Sequence, residues 1–131
     1  MTSRLITSDT PIVFDSSCWL EVFDGGARTS LFVNQAANVD NMVVPVITIY
    51  EVFKYLCRKL NAESAARAVT YMQRGLVVDM DSALILDAAS NGLPLADSLI
   101  YATTKLHHAE LWTQDAHFEG LAGVKYFSKI I

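Results

Sequence analysis

No uninterrupted apolar stretch of the sequence approaches the roughly 20 residues that a bilayer-crossing helix requires, so no membrane span is expected. The first residues, MTSRLITSDTPIVFDSS, lack the basic, apolar and small-residue order of a secretory leader, and a cytoplasmic protein is the expectation. Cysteine is scarce. Cys18 and Cys57 have no metal-ligand spacing, which leaves free thiols in a reducing compartment as the simplest reading. Charged residues are only 18% of the chain, and the formal net charge is −4. A protein that grips nucleic acid through bulk positive charge is therefore disfavoured, because phosphate affinity comes largely from Lys and Arg. Repeats, low-complexity runs and interdomain linkers are absent as well.

What is present is apolar. Hydrophobic residues make up 52% of the 131 residues, and the mean hydropathy is +0.29. Such a chain folds around a core, and its length fits one domain over residues 1–131. The high hydropathy suits a well-buried α/β core, or an apolar surface that a partner covers.

Short β-branched and aromatic runs alternate with helical stretches. PIVFD (11–15) reads as a buried strand that breaks at DSS. NMVVPVIT (41–48) reads as a second strand, with Pro45 near an edge, running into a helix that carries IYEVFKYLCRKL. AESAARAVTYMQRG is a helix stopped by Gly75, LVVDM a strand, and SALILDAASNG a helix closed by Asn91-Gly92. A helix from Leu93 with Pro94 in its first turn follows, then strands AELWT (109–113) and VKYFS (124–128). This alternation predicts βαβ units and a parallel sheet covered by helices.

Ligands of such sheets sit at the carboxyl ends of the strands. Asp15 ends the first strand and Asp115 follows the fourth, so both face one sheet edge. On the helix around Glu51, Ile49, Val52, Phe53 and Leu56 form the core stripe, and Glu51, Lys54 and Arg58 lie opposite. On the helix after Pro94, Leu95, Leu99, Ala102 and Leu106 form the buried stripe, with Asp97, Tyr101 and Thr104 on the other face. Taken singly, Glu51 reads as part of a solvated face and Asp97 as a helix-dipole partner. Taken together, four acids are placed where one cleft can collect them. Two carboxylates about 4 Å apart repel by about 4 kcal/mol at an effective dielectric near 20, so a shared site calls for a hard divalent cation.

Asp15 in IVFDSSCWLEVF, Glu51 in TIYEVFKYL, Asp97 in LPLADSLIYATT and Asp115 in LWTQDAHF come in the order of a known family. From Ile12 to about Phe127 the chain resembles a PIN domain, most of all the VapC-type toxins of bacterial and archaeal toxin–antitoxin pairs. The resemblance implies a Rossmann-like α/β/α sandwich with a central parallel sheet and a Mg²⁺- or Mn²⁺-dependent ribonuclease acting on RNA. It also implies a homodimer and inhibition by a VapB-type antitoxin. It matches the family's acids to Asp15, Glu51, Asp97 and Asp115, and its flanking hydroxyls to Ser17 and Thr113.

The expected chemistry is metal-assisted phosphodiester hydrolysis, with Asp15, Asp97 and Asp115 around the metal and Glu51 orienting the attacking water or a second ion. Ser17, Lys54, Arg58 and Thr113 are the expected substrate contacts. Trp19, Phe23 and Trp112 fit the core or a dimer contact better than base stacking. His107, His108 and His117 are not expected to be metal ligands, since adjacent histidines near a helix end diverge rather than converge and helix C-termini favour His⁺; Asp79 and Asp81 read as helix caps. Gly25-Gly26 lacks the fingerprint of a phosphate loop and reads as a turn. Two other classes fit less well. A phospho-acceptor receiver domain needs an acid pair after the first strand and a Lys after the fifth, both missing. A non-catalytic RNA-binding or interaction module of the same fold has no need of four acids.

Overall fold

The structure, a computed structural model, describes residues 9–129. The segment read above for a leader lies outside the described residues as far as residue 8. Strands β1 (Ile12–Phe14), β2 (Val43–Pro45), β3 (Leu76–Val78), β4 (Glu110–Thr113) and β5 (Val124–Tyr126) alternate with helices. These are α1 (Ser16–Phe23), the short α2 (Val33–Ala36), α3 (Val46–Lys59), α4 (Ala62–Met72), α5 (Ser82–Ala88) and α6 (Leu95–Leu106). Every strand pair is parallel, as expected of crossover connections. The expected single sheet is divided into two ladders: β4 lies between β1 and β5, and β2 pairs with β3. The second ladder packs beside β1, so the direction of strand progression reverses between β1 and β4.

Strand alternation sends each residue of β1 to a defined layer. Ile12 and Phe14, with Val44 of β2, pack against Trp19, Val52, Leu56, Ala68 and Met72 from α1, α3 and α4. Val13, Val43 and Leu111 point the other way, onto Ile100 and Tyr101 of α6. The result is the α/β/α sandwich the resemblance implies. Trp19 belongs wholly to the first layer: it meets Phe14 edge-on at 4.9 Å and stacks on Phe23 at 5.6 Å. Among the described residues, no helix is long and apolar enough to cross a membrane.

Several local expectations are corrected. The residues after Asp15 do not simply break the strand but begin α1, for which Asp15 is the N-cap. Pro94 takes the N-cap position of α6 rather than lying inside it. Leu95 and Leu106 are 76% and 58% exposed, whereas every residue from Ser98 to Thr104 is buried. The centre of α6 is covered on all sides, and its hydroxyls turn back onto the helix: Thr103 donates to the Leu99 carbonyl and Thr104 to that of Ile100. On α3, Phe53 is 41% exposed and Thr48 is buried among the core-facing positions instead. Gly75 closes α4 for a different reason than helix stopping. A side chain there would stand 2.8 Å from Val44 Cγ2 and 3.0 Å from the Met42 and Val39 carbonyls, so the chain needs glycine to pass against β2. Gly92, at φ +72°, is the expected left-handed turn residue.

Candidate active site

β1 and β4 are parallel neighbours, so the residues that leave them emerge at one edge of the sheet. The Asp15 N–H donates to the Trp112 carbonyl at 3.1 Å, and Asp115 follows two residues after the end of β4. Asp97 stands in the first turn of α6. Glu51, on α3, feels the negative charge of Asp97, Asp15 and Asp115. The four acids predicted from the sequence are thus gathered at the carboxyl edge, beside the point where strand progression reverses, the usual ligand crevice of such sheets.

Asp15 is buried and fixed on both oxygens. Oδ1 accepts from Ser17 Oγ at 2.6 Å and from the Cys18 N–H at 3.2 Å, while Oδ2 accepts from Thr113 Oγ1 at 2.6 Å. Burial drives the Asp15 carboxyl above the ordinary aspartate range despite these donors. Ser17 and Thr113, the expected substrate contacts, both turn their hydroxyls onto Asp15. Thr113 is fully buried, donates to Asp15, and accepts from the Asp115 N–H at 2.9 Å. Ser17 Oγ is taken up by Asp15 and by the Gln114 N–H at 3.1 Å. Both hydroxyls position acids. Thr113→Val, which keeps the shape and loses the hydroxyl, should therefore cost about 2 kcal/mol. That corresponds to a drop of roughly 6 °C in Tm, readable by thermal melts in chelator. An unchanged Tm would remove Thr113 from this role.

Gln114 is a brace that sequence reasoning missed. Its Nε2 donates to the Ser17 carbonyl at 3.2 Å and to Glu21 Oε1 at 3.0 Å, tying α1 to the loop that carries Asp115. Ser16 was missed as well: its Oγ donates to Glu51 Oε1. The available signal was its place one residue beyond Asp15, at the start of a helix facing α3. Burial, then repulsion from Asp97, Asp15 and Asp115, raises the Glu51 carboxyl against the lowering effect of Ser16.

His117, set aside as a ligand on the sequence, lies two residues beyond Asp115 in a 3₁₀ turn over Ala116–Phe118. The turn is capped by Asp115, whose Oδ1 accepts from the His117 N–H at 2.9 Å. The imidazole Nδ1 lies 2.9 Å from Asp97 Oδ2 and 3.2 Å from Asp115 Oδ1. The expected divergence of the histidines fails here, because this turn bends the ring back over the acids. Burial, with the charge of Asp115, pushes the Asp97 carboxyl up, and Asp115 and Asp97 in turn raise the His117 imidazole.

Could these residues hold a divalent ion? Ligand atoms of Asp97, Asp115 and His117 lie within 4.8 Å of one another. Asp15 and Glu51 stand near them with carboxyls that resist ionisation. That donor set, rich in oxygen and short of positive charge, fits a hard cation. Beyond Glu51, a groove of about 340 Å³ is lined by Ser16, Tyr50, Lys54, Tyr55 and Arg58. Lys54 and Arg58 share this groove with Glu51, and exposed Tyr50 and Tyr55 accompany them.

The PIN-domain family model matches residues 12–124. No curated protein sequence matches the chain. Among solved structures, a toxin–antitoxin complex from Klebsiella pneumoniae is similar at a TM-score of 0.70 and 22% identity, over 87% of this chain and 95% of that one. The DNA-bound VapBC complex from Salmonella typhimurium gives 0.66 and 16%, over 90% and 97%. A sarcin–ricin-loop-cleaving VapC toxin from Mycobacterium tuberculosis gives 0.67 and 14%, over 82% and 91%. At these identities the likeness is one of fold.

Proposed function

The chain belongs to the PIN-domain family, and from that footing we propose that it is a metal-dependent endoribonuclease, the toxin of a toxin–antitoxin pair. The observation that carries the reading is the gathering of Asp15, Glu51, Asp97 and Asp115 at one sheet edge, where burial raises the carboxyls of Asp15, Glu51 and Asp97 and the charge of neighbouring acids adds to the rise at Glu51 and Asp97. Asp97 and Asp115 would hold Mg²⁺ or Mn²⁺, with Asp15 beside them. Such an ion, when bound, acidifies water and offsets charge on the phosphate under attack.

The protein's own residues do the rest. Ser17, Thr113 and the Cys18 N–H hold Asp15 in one orientation. Glu51, braced by Ser16, is half-buried and holds its proton more tightly than an ordinary glutamate, so it can accept one from the attacking water. Lys54 and Arg58 take flanking phosphates along the groove, and Tyr50 and Tyr55 offer ring faces to unpaired bases. No nucleophilic side chain is required.

Two similar structures are toxin–antitoxin complexes, which supports a VapB-type antitoxin as partner. A homodimer is supported by α5, which turns Ile85 and Leu86 to solvent, and by exposed Leu95. The free thiols Cys18 and Cys57 suit the cytoplasm, where RNA is at hand. The test is direct. Purified protein should cut RNA with Mg²⁺ or Mn²⁺, stop in EDTA and resume when the ion is restored. Cleavage that persists in EDTA would overturn the proposal, and equal cutting of DNA would make it a broader nuclease.

A further inference from the structure

We infer that His117 is a nitrogen ligand of the cation at this site, and that the site consequently favours Mn²⁺ over Mg²⁺. The inference rests on the cation site of the proposed nuclease, and it does not require that RNA be the substrate. Three observations carry it. First, the spacing is that of shared ligands. Donors bound at about 2.1 Å to one octahedral ion stand about 3.0 Å apart at adjacent corners; Nδ1 of His117 is 2.9 Å from Asp97 Oδ2 and 3.2 Å from Asp115 Oδ1. Without an ion, a ring N–H bridges the two carboxylates, and a metal would replace that proton in the same place.

Second, the ring is aimed by the backbone rather than by packing. The His117 N–H is tied to Asp115 Oδ1 at 2.9 Å, and the adjacent Phe118 is fully buried and anchors the turn. The His117 side chain itself is 58% exposed, so core packing does not explain its direction. Third, the chemistry of the set is mixed, two carboxylates and one imidazole. Mg²⁺ keeps oxygen ligands and its own waters, whereas a nitrogen donor adds affinity for first-row transition ions, of which Mn²⁺ is the hardest and the nearest to Mg²⁺ in its liking for carboxylates.

The experiment uses the full chain with Mn²⁺ as the probe. Pulsed EPR of the Mn²⁺-loaded protein should show ¹⁴N coupling from a directly bound ring nitrogen, replaced by ¹⁵N coupling when histidine is isotopically labelled. His117→Ala should abolish that coupling and weaken Mn²⁺ binding, by calorimetry, about tenfold or more, while Mg²⁺ affinity changes less than about twofold. The labelling arm needs no variant and shows that the nitrogen is a histidine's; where His117→Ala folds poorly, loss of the coupling in His117→Gln assigns it to His117. Bound Mn²⁺ without nitrogen coupling overturns the inference, as does equal weakening of both ions. Nitrogen coupling in a protein that leaves RNA intact would uphold the ligand and sink the ribonuclease reading instead.

Discussion

Asp97→Asn is expected to slow RNA cleavage by about a thousandfold, the loss produced when one charge-stabilising group leaves a preorganised site, while raising the Tm of the metal-free protein by a few degrees. The two effects have one cause. Asp97 is held in the first turn of α6 beside Asp115, and burial followed by that neighbour's charge lifts its carboxyl above the ordinary value of 3.8. The ionised side chain is thus less comfortable in the folded chain than in the unfolded one, and its neutral isostere relieves the strain. Opposite movement of activity and stability is the signature of a residue kept for function. The comparison is made by RNA cleavage with Mg²⁺ and by melts in EDTA. A variant that is both active and no more stable would remove Asp97 from the site.

The second large effect is a coupling between pH, metal and stability. Burial raises the Asp15 and Asp97 carboxyls above 3.8 and Glu51 above 4.5. His117 is lifted above 6.5, chiefly by Asp115. A group whose folded pKa exceeds its unfolded value contributes stability that is complete below the unfolded value and is lost as pH climbs through the folded one. All four shifts share that sign. In EDTA, then, Tm should fall as pH rises from about 5 to about 8, and the fall should be smaller in Asp97→Asn. Mn²⁺ at a hundred times its Kd should restore about 2.7 kcal/mol. At one fixed Mn²⁺ concentration the gain should be larger at the alkaline end, where protons no longer compete for the ligands and Kd is lower. A Tm that is flat across this range, or a metal gain larger at the acid end, would contradict the arrangement.

Much of this was readable before any coordinates. Asp15 and Asp115 declare themselves by following strand ends and Asp97 by opening a helix, and the parallel order of elements puts those positions at one edge; Glu51, further along α3, is legible only together with them. What stayed hidden has physical reasons. A residue that ends a strand and one that caps a helix carry the same signal, so Asp15 concealed α1. Helical periodicity marks an apolar stripe but not the length over which something covers it. Leu95 and Leu106 continue the stripe of Leu99 and Ala102 past the edge of the packed layer, and Phe53 lies outside the cover on α3. The turn that returns His117 to the acids is set by local bonds, the His117 N–H to Asp115 Oδ1 and the Phe118 N–H to the Asp115 carbonyl, which no spacing rule reports. That Ser17 and Thr113 turn their hydroxyls onto Asp15 depends on how β1 lies against β4, which no local signal reports.

The central place of β4 has one further outcome. Val13 meets Leu111 across nearly the whole polypeptide, so β1 must wait for the late-made strand before Asp15 acquires Thr113 and the neighbouring Asp115. Until β4 has been made and paired with β1, therefore, Asp15 lacks the Thr113 hydroxyl, and the proposed cation site cannot assemble from the earlier strands alone.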